Sequence, residues 1–358
     1  MSKRHRYGRS AGSVLRHLEE LIVATSGEDA FEAVFAISAA RLQTDGALPL
    51  RQAIARVREQ QPLLGLATLA ELPDPLLERV DALLGSVLSE GDALDAMFER
   101  LVPKVAKSDK GQYFTPRHVV DFVMELLSPR AGELVIDPAC GSGAFLSAAR
   151  RAGAEAYGAD IDARAVRVAR LLALAEGSTP ETVRQGDSLR AVGFPSADVV
   201  ATNPPFAGVA PSDGFELGRR LRRPERDALF LERALTLLRP GGRLGIVLPY
   251  NKASGSAFEP LRRWLVEQAR VLAIVGLPRE TFLPHTSQRT FVLIAQKRAA
   301  SPWSVEKALS ERTIFARSER SGKDAAGELL RQEDGRIDHD LSEVAAEIGA
   351  FLNAEWRA

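Results

Sequence analysis

The tetrapeptide Asn203-Pro204-Pro205-Phe206 can hold an amino group between two fixed acceptors. It begins where ADVVATN, residues 197–203, ends a run typical of a buried strand. The Asn203 side-chain oxygen and the Pro204 carbonyl are both acceptors, and the two prolines restrict the backbone that positions them. Acceptors on both hydrogens of an exocyclic amine favour an sp3 nitrogen with its lone pair free to attack, and Phe206 offers a flat surface for a base. A rigid turn after a strand is the alternative interpretation.

A second chemical feature is the glycine-rich loop DPACGSG, residues 137–143, which lies between an apolar run and a helical segment. Gly141 and Gly143 allow the backbone to approach a ligand closely, as in nucleotide-binding folds. The spacing differs from G-x-G-x-x-G, and the Asp137 carboxylate would repel a pyrophosphate but attract the ammonium group of an amino acid. A dinucleotide is therefore not favoured, and an ordinary tight turn between strand and helix remains an alternative.

Two further carboxylates end predicted strands. Asp160 ends EAYGAD and could accept two hydrogen bonds from a ribose diol, whereas Asp162 is placed to cap the following helix. Asp187 ends TVRQGD and could accept a hydrogen bond from the exocyclic amine of adenine. For Asp187 alone, capping of a turn is the simpler interpretation. Asp160 and Asp187 are thus candidates for binding a nucleoside.

The elements that would position these residues alternate between strand and helix after residue 130. Strands are predicted at 134–137, 155–160, 182–187, 197–203, 243–250, 271–277 and 290–297, and helices at 144–152, 163–176 and 225–238. This alternation predicts an α/β fold with a doubly wound, mostly parallel sheet. The last strand follows its predecessor through a loop too short for a crossover helix, so we expect it to be antiparallel.

The flanking regions are expected to be helical. Apolar residues recur at helical spacing between about residues 12 and 101, and no convincing strand precedes residue 130. We therefore expect a helical N-terminal domain at 1–105, a catalytic domain at 106–300 and a short helical C-terminal tail at 301–358.

Composition limits the classes of ligand and partner. Among 358 residues, 47 Lys and Arg balance 47 Asp and Glu, so contact with a nucleic acid would require a local basic patch. The candidate patch is RRLRRPER at 219–226, with a solvated loop as the alternative. The residues of this patch that could bind phosphates are Arg219, Arg220, Arg222 and Arg223.

Cysteine content and hydropathy disfavour disulfide-bonded, zinc-binding and membrane-spanning proteins. The single cysteine, Cys140, permits no internal disulfide and no cysteine-rich zinc site, and no metal is predicted. No apolar run reaches the roughly 18 residues of a membrane span, and no secretory signal is evident. A cytoplasmic enzyme without membrane contact is the expectation.

In their order and combination, these motifs resemble the amino-group DNA methyltransferases that modify adenine at N6, and most of all the modification subunits of type I restriction–modification systems. The resemblance runs from about residue 92 to residue 298. GQYFTP at 111–116 resembles the segment that closes over the methionine end of S-adenosylmethionine, and Phe282 stands where the family places a second aromatic beside the target base. The cofactor and catalytic motifs of the family are matched by DPACGSGAFL, GADID, QGDSL and NPPF.

The resemblance implies a Rossmann-like, S-adenosylmethionine-dependent methyltransferase. Catalysis would fall to Asn203, Pro204, Pro205 and Phe206, and Phe206 and Phe282 would stack on an adenine flipped out of the duplex. The residues implied to bind S-adenosylmethionine are Gln112, Tyr113, Phe114, Thr115, Pro116, Asp137, Ala139, Gly141, Gly143, Asp160, Asp187, Ser188 and Asn203.

The resemblance also implies partners. DNA would be the substrate. No segment of about 100 residues, the size of a small domain, is left over for recognising a target sequence, so a separate specificity subunit is expected. A restriction subunit or another defence subunit is a further candidate partner.

Two other functions remain open. RNA guanine-N2 and protein glutamine methyltransferases also use an N-P-P-aromatic loop, and labelled cofactor offered with DNA, RNA or protein would separate these activities. A methyltransferase-like scaffold without turnover, held within a defence complex, is the remaining alternative, and it would show no affinity for the cofactor.

Overall fold

The computed structural model of the chain describes residues 30–44, 46, 48–70, 72–88, 115–190, 192–206, 208–299 and 304–356, together with Glu20. The chain divides into two compact units. One unit comprises Met1–Asp109 and Arg167–Thr182, and the other comprises Lys110–Val166 and Val183–Ala358. The domain boundary expected near residue 105 lies outside the described residues, whereas residues 304–356 belong to the same unit as the sheet.

The first unit is helical in its described part. Its N-terminal helices are α1 (Ala30–Gln43), α2 (Leu50–Gln60) and α3 (Asp74–Leu88). Arg167 of the same unit donates two hydrogen bonds to the Glu32 carboxylate, at 2.7 and 2.9 Å, and its guanidinium lies 4.5 Å from the centre of the Phe35 ring. Among the described residues no strand precedes residue 130, as the helical spacing predicted.

The second unit contains one eight-stranded sheet. Its strands are β1 (Leu134–Asp137), β2 (Glu155–Asp160), β3 (Val183–Gln185), β4 (Ala197–Thr202), β5 (Leu238–Pro249), β6 (Ala269–Gly276), β7 (Thr290–Lys297) and β8 (Ile314–Arg317). They are ordered β3-β2-β1-β4-β5-β7-β6-β8. β7 is antiparallel to β5 and β6, and the other neighbours are parallel. The predicted mostly parallel α/β sheet, with β7 antiparallel, is confirmed.

The described α-helices that follow residue 115 belong to the second unit, except that α6 continues into the first. They are α4 (Arg117–Leu127), α5 (Ala144–Arg151), α6 (Ala163–Ala175, which enters the first unit at Arg167), α7 (Glu216–Arg220), α8 (Arg226–Leu237), α9 (Asn251–Ser254), α10 (Glu259–Gln268), α11 (Val305–Leu309) and α12 (Leu341–Glu355). Leu231 and Trp264 from α8 and α10 share one core with Val200 and Leu244 of the sheet. On α4, Val123 packs so closely on β5 that a side chain at Gly245 would come within 2.8 Å of it. Within the described ranges, no helix combines the length and apolar character needed to cross a membrane.

The topology collects the candidate residues at one edge of the sheet. Parallel strands end at the same edge, and the antiparallel β7 begins there. Asp137 and Asp160 end β1 and β2, and Asn203 follows the last residue of β4. The strand order reverses between β1 and β4, and a crevice at such a reversal is the usual ligand site of an open α/β sheet.

Some predicted elements differ from the structure. β5 begins at Leu238 instead of residue 243, because its pairing with β4 continues across the Pro240-Gly241-Gly242 turn with a shift in register between Ala197 and Val199. The bounds of β3 and β6 differ from the predicted ones by one or two residues at each end. The helix α10 was not predicted, although its buried residues Leu261, Trp264 and Leu265 recur at helical spacing.

The expectation of a helical C-terminal tail is correct only for α11 and α12. Between them, β8 pairs in parallel with β6, and isolated bridges join Ser321 to His339 and Arg331 to Ile337. The four residues of β8 are too few to show a strand pattern, and their pairing depends on the open edge of β6, which is distant in sequence.

Candidate active site

A buried carboxylate at the end of β1 joins two strands. Asp137 is 1% exposed, and its Oδ1 atom accepts hydrogen bonds from Thr202 Oγ1 at 2.6 Å and from the Ala139 amide at 3.0 Å. Because Thr202 ends β4, this carboxylate links the glycine-rich loop to the strand that leads into Asn203. Burial raises the pKa of Asp137 to about 7, although the hydrogen bonds from Thr202 and Ala139 lower it. A cation bound beside Asp137 would favour its ionised form.

A second buried carboxylate, Asp160 at the end of β2, holds the glycine-rich loop. Its Oδ2 atom accepts a hydrogen bond from the Gly141 amide at 2.9 Å, and its Oδ1 atom accepts one from the Asp162 amide at 2.9 Å. A carboxylate oxygen can accept more than one hydrogen bond, so acceptance from the loop does not by itself exclude a ligand. Asp160 therefore both shapes the loop and can bind a diol.

Glycine is required at two kinds of position around this loop. Gly141 and Gly143 adopt φ angles of +51° and +94°, which other residues rarely adopt. In β2, a side chain at Gly158 would lie 2.6 Å from Leu146 Cδ1 and 2.9 Å from Cys140 Cβ. The absence of a side chain at Gly158 thus lets β2 pack directly on the loop.

The remaining aspartate candidates, Asp162 and Asp187, accept hydrogen bonds from nearby backbone amides. Asp162 Oδ1 accepts hydrogen bonds from the Arg164 and Ala165 amides at the start of α6, which confirms the capping role predicted for it. Asp187 Oδ1 accepts from the Leu189 amide at 3.0 Å, so Asp187 does cap the turn after β3. The adjoining Ser188 is buried, and its hydroxyl has no hydrogen-bond partner in the described part of the chain.

The Asn203 side chain is held by one end only. Its Nδ2 atom donates a hydrogen bond to Thr115 Oγ1 at 3.0 Å. Its Oδ1 atom is buried and has no hydrogen-bond partner among the described residues. The hydrogen bond to Thr115 restrains the amide, and its unpaired buried oxygen costs about 1–3 kcal/mol until a donor reaches it.

Thr115 belongs to the predicted segment Gln112-Tyr113-Phe114-Thr115-Pro116. Thr115 is buried, and Pro116 lies directly before the first residue of α4. The preceding candidates Gln112, Tyr113 and Phe114 lie outside the described residues.

Phe206 and Phe282 lie together. Phe282 ends the short 3-10 helix Arg279–Phe282 that follows β6, and the two ring centres are 5.8 Å apart with the planes at 89°. Both side chains are buried, and this edge-to-face geometry stabilises an aromatic pair by about 0.5–1.5 kcal/mol beyond its buried area. The two aromatic side chains that the sequence analysis assigned to one base are thus in direct contact with each other.

The candidate phosphate-binding arginines are not equivalent. Arg220 is paired with Glu216 at 2.5 Å and with Glu267 at 2.9 Å, and its hydrogen bond to Glu267 raises its pKa. Arg219, Arg222 and Arg223 are exposed and form no ion pair with another described residue. Of these four arginines, Arg220 is therefore the one whose charge is already compensated.

A buried lysine, which the sequence analysis did not identify, lies beside the site. Lys252 follows β5, is 1% exposed, and contacts Glu225 at 2.5 Å and Asp227 at 2.9 Å. Burial raises the pKa of Asp227 to about 6, although the Lys252 charge lowers it. Glu225 also bridges to Val209, three residues after Phe206, so the triad secures the chain that leaves the tetrapeptide. Nothing in the local sequence signals this cluster, because its members come from two distant segments.

Ile161 is a second feature that the sequence analysis missed. This residue is 51% exposed and lies directly between Asp160 and Asp162. An apolar side chain between two aspartates was a visible signal, because such a side chain can cover the flat face of a bound base.

Among the described residues, no group of three or more His, Cys, Asp or Glu side chains is arranged to hold a metal ion.

A family model described as N-6 DNA Methylase matches residues 89–332 of the chain. The EcoKI type I restriction enzyme methylase subunit of Escherichia coli strain K12 is 30% identical over 244 residues, covering 59% of this chain and 46% of that protein. The StySJI methylase subunit of Salmonella typhimurium is 32% identical over 256 residues, covering 61% and 48%. The chain therefore spans about half the length of the curated relatives it matches.

A solved structure gives an independent view of the fold. The type I restriction-modification methyltransferase subunit from Streptococcus thermophilus superposes with a TM-score of 0.62, at 18% identity, over 97% of this chain and 79% of that one. At this level of identity the similarity establishes the fold alone.

Proposed function

Because the chain belongs to the N-6 DNA methylase family, we propose that it transfers the methyl group of S-adenosylmethionine to N6 of adenine in DNA. The observation that carries this proposal is the unpaired, buried Asn203 Oδ1, whose amide is oriented by Thr115. An exocyclic amine is a donor with two hydrogens, and one of them satisfies this oxygen. The Pro204 carbonyl accepts the other in the proposed complex.

The residues at the ends of β1 to β3 fit S-adenosylmethionine. The buried Asp137 suits the ammonium group, and Asp160 retains lone pairs for the ribose diol. The exposed Ile161 covers one face of the cofactor's adenine. The Ser188 hydroxyl, which has no partner among the described residues and lies beside Asp187, can bind a polar atom of that adenine. When bound, this cofactor supplies an electrophilic methyl group on a sulfonium. The chain itself needs only to orient the two reactants.

Asn203 and Pro204 perform the part of the reaction that belongs to the protein. By accepting both amine hydrogens, they keep the nitrogen lone pair out of conjugation with the ring and directed at the methyl group. The amine gives up its proton only after the new bond has formed, so no strong base is needed beforehand. Pre-oriented polar groups of this kind typically contribute about 100- to 1000-fold to a rate.

The target adenine must leave the duplex to reach Asn203. We assign the receiving surface to Phe206, with Phe282 behind it edge-on. Stacking of a base on an aromatic side chain stabilises binding by roughly 1–3 kcal/mol. Target recognition is assigned to a separate specificity subunit, in line with the type I subunits that this chain resembles, and a restriction or other defence subunit completes the proposed assembly.

The proposal is tested by Asn203→Ala, with Asn353→Ala on the exposed side of α12 as the matched control. Methylated adenines in host DNA are mapped by long-read sequencing, with and without the chain. Asn203→Ala should reduce methylation by about 100-fold or more, a much larger loss than any change in cofactor affinity, because the residues at the ends of β1 to β3 are unchanged. Undiminished methylation in this variant would reject the mechanism.

The same preparation, supplied with labelled cofactor, separates the alternatives. Label transferred to RNA or to protein but not to DNA assigns another substrate to the same site. A wild-type chain that binds no cofactor in a titration is a scaffold, and the proposed activity is then wrong.

A further inference from the structure

Three residues follow or precede strand ends at the edge of the sheet that carries Asn203, on the side away from the cofactor loop. Tyr250 directly follows β5, Arg289 directly precedes β7, and Arg279 follows β6. The Tyr250 amide donates a hydrogen bond to the Arg289 carbonyl at 2.9 Å, and the Leu277 amide donates to the Thr290 carbonyl at 2.9 Å. The backbone pairing of β7 with β5 and with β6 therefore continues beyond the strand ends. It sets Tyr250 beside Arg289, and Arg279 follows two residues after the paired Leu277.

The two arginines carry uncompensated charge. Arg279 and Arg289 are exposed, and neither side chain forms an ion pair or a hydrogen bond with any described residue. Glu280 follows Arg279 in the chain but makes no ion pair with it. Elsewhere in the same unit, Arg243 and Arg298 are paired with carboxylates. Because the chain has no net charge, unpaired arginines at one place form the kind of local patch that a polyanion requires.

Tyr250 adds an aromatic surface to this patch. It is 48% exposed, and its ring stands edge-on to the buried Phe291, with the ring centres 6.5 Å apart and the planes at 89°. This packing restrains the ring, while about half of the residue remains exposed. Cationic side chains around a fixed aromatic ring are the usual composition of a surface that binds a nucleic acid strand by charge and stacking.

The patch adjoins the proposed base site. Arg279 begins the 3-10 helix that ends at Phe282, and Phe282 contacts Phe206 of the tetrapeptide. A strand whose adenine occupies the site must pass over the neighbouring edge of the sheet. Arg279 shares one short helix with Phe282 and is therefore placed near the path of that strand.

We propose that Tyr250, Arg279 and Arg289, here termed the target rim, bind the DNA strand that flanks the extruded adenine, the arginines through phosphates and Tyr250 through an adjacent base. This inference rests on the proposed function for the identity of the nucleic acid. It differs from the basic segment at 219–226, which runs from the end of α7 to the start of α8.

The arginines are tested by measuring the affinity of the full chain for a fluorescent DNA duplex between about 50 and 200 mM salt. Arg279→Gln and Arg289→Gln should each make the slope of log affinity against log salt shallower by about 0.9, and the double variant by about 1.8. Arg130→Gln is the matched control, because Arg130 is also exposed and unpaired among the described residues but precedes β1, at the opposite edge. Slopes for Arg279→Gln and Arg289→Gln equal to that of the control overturn the target rim.

Tyr250 is tested in the same assay. Tyr250→Ala should weaken binding by roughly 5- to 150-fold, whereas Tyr250→Phe, which keeps the ring, should bind nearly as the wild type does. Equal affinities of Tyr250→Ala and the wild type overturn its role.

Failure of the rim and failure of the proposed function give different results. Asn203→Ala should bind DNA with the wild-type salt slope while it methylates none. If the wild type methylates DNA but the rim variants keep its slope, the rim alone is wrong. If the slope changes appear with an RNA duplex and not with DNA, both the rim's ligand and the proposed substrate are wrong.

Discussion

The edge of the sheet that carries the candidate site has two halves of opposite character. In the cofactor half, β1, β2 and β3 end at or before Asp137, Asp160 and Asp187. In the target half, β5, β6 and β7 present Tyr250, Arg279 and Arg289. β4, with Asn203 at its end, lies between them. An acidic half suits a cationic cofactor and a basic half suits a polyanion, so one sheet can hold both reactants without either half repelling its own ligand.

The two halves also differ in how their charges are satisfied. The carboxylates of Asp137 and Asp160 already accept hydrogen bonds from backbone amides or a hydroxyl, which sets their geometry before a ligand arrives. Arg279 and Arg289 have no partner in the described part of the chain and remain free to adapt to a backbone. The difference shows why a small ligand needs a rigid site, whereas a long polyanion is bound by a broad, adjustable surface.

Asp160→Ala should produce the largest difference between the effects on cofactor affinity and on DNA affinity. It removes the acceptor for two buried amides, those of Gly141 and Asp162, and the proposed partner of the ribose. We expect cofactor affinity, measured by calorimetric titration, to fall by about 100-fold or more, with DNA affinity unchanged. Asp213→Ala, an exposed loop carboxylate, is the control. A parallel loss of DNA affinity in Asp160→Ala would show that the halves are not independent.

Asp137 should make the cofactor half sensitive to pH. Its pKa in the folded protein is about 7, above the ordinary value of 3.8, so the folded state holds one more proton than the unfolded state between these values. The contribution of Asp137 to stability is therefore fully present at low pH and falls as the pH rises towards 7, by up to about 1.4 kcal/mol per pH unit. Urea unfolding of the cofactor-free protein at several pH values measures this slope.

Asp137→Asn should flatten that slope between about pH 6 and 7. Asp227, whose pKa is raised to about 6, contributes with the same sign, mainly at lower pH, whereas the lowered pKa values of His118, His285 and His339 contribute with the opposite sign. The effect of Asp137 is therefore the difference between the slopes of the wild type and of Asp137→Asn. Cofactor affinity of the wild type should increase through the same interval, because an ammonium group binds the ionised carboxylate. An unchanged slope in Asp137→Asn would contradict the assignment.

Thr115→Val should give the smallest of the three effects. It acts on Asn203, which lies between the two halves. The variant leaves the Asn203 amide without its acceptor and lets the side chain rotate. We expect methyl transfer to fall by roughly 10-fold, with little change in cofactor or DNA affinity, and Thr115→Ser to restore it. Thr236→Val, which removes an exposed hydroxyl on α8, is the matched control. Loss of activity in Thr115→Ser equal to that in Thr115→Val would argue against the hydrogen bond.

Much of the sheet could be predicted because its information is local. The bounds of β1, β2 and β7 match the predicted runs LVID, EAYGAD and TFVLIAQK, since short apolar runs between polar turns mark buried strands. β8 and the beginning of β5 could not be predicted, because each exists only through pairing with a strand far away in the sequence. The Lys252 cluster was missed for the same reason.

The sequence by itself determined which chemistry each strand end can offer, since a carboxylate, a glycine-rich turn or Asn-Pro-Pro-Phe keeps its functional groups wherever the chain folds. Only the tertiary structure decided which of these groups already have a partner within the described part of the chain. Thr115 reaches Asn203 across 88 positions and Phe206 meets Phe282, while Arg220 is neutralised and Arg279 is not. The physical reason is that the availability of a hydrogen bond or a charge depends on its spatial neighbours, which residue order does not specify.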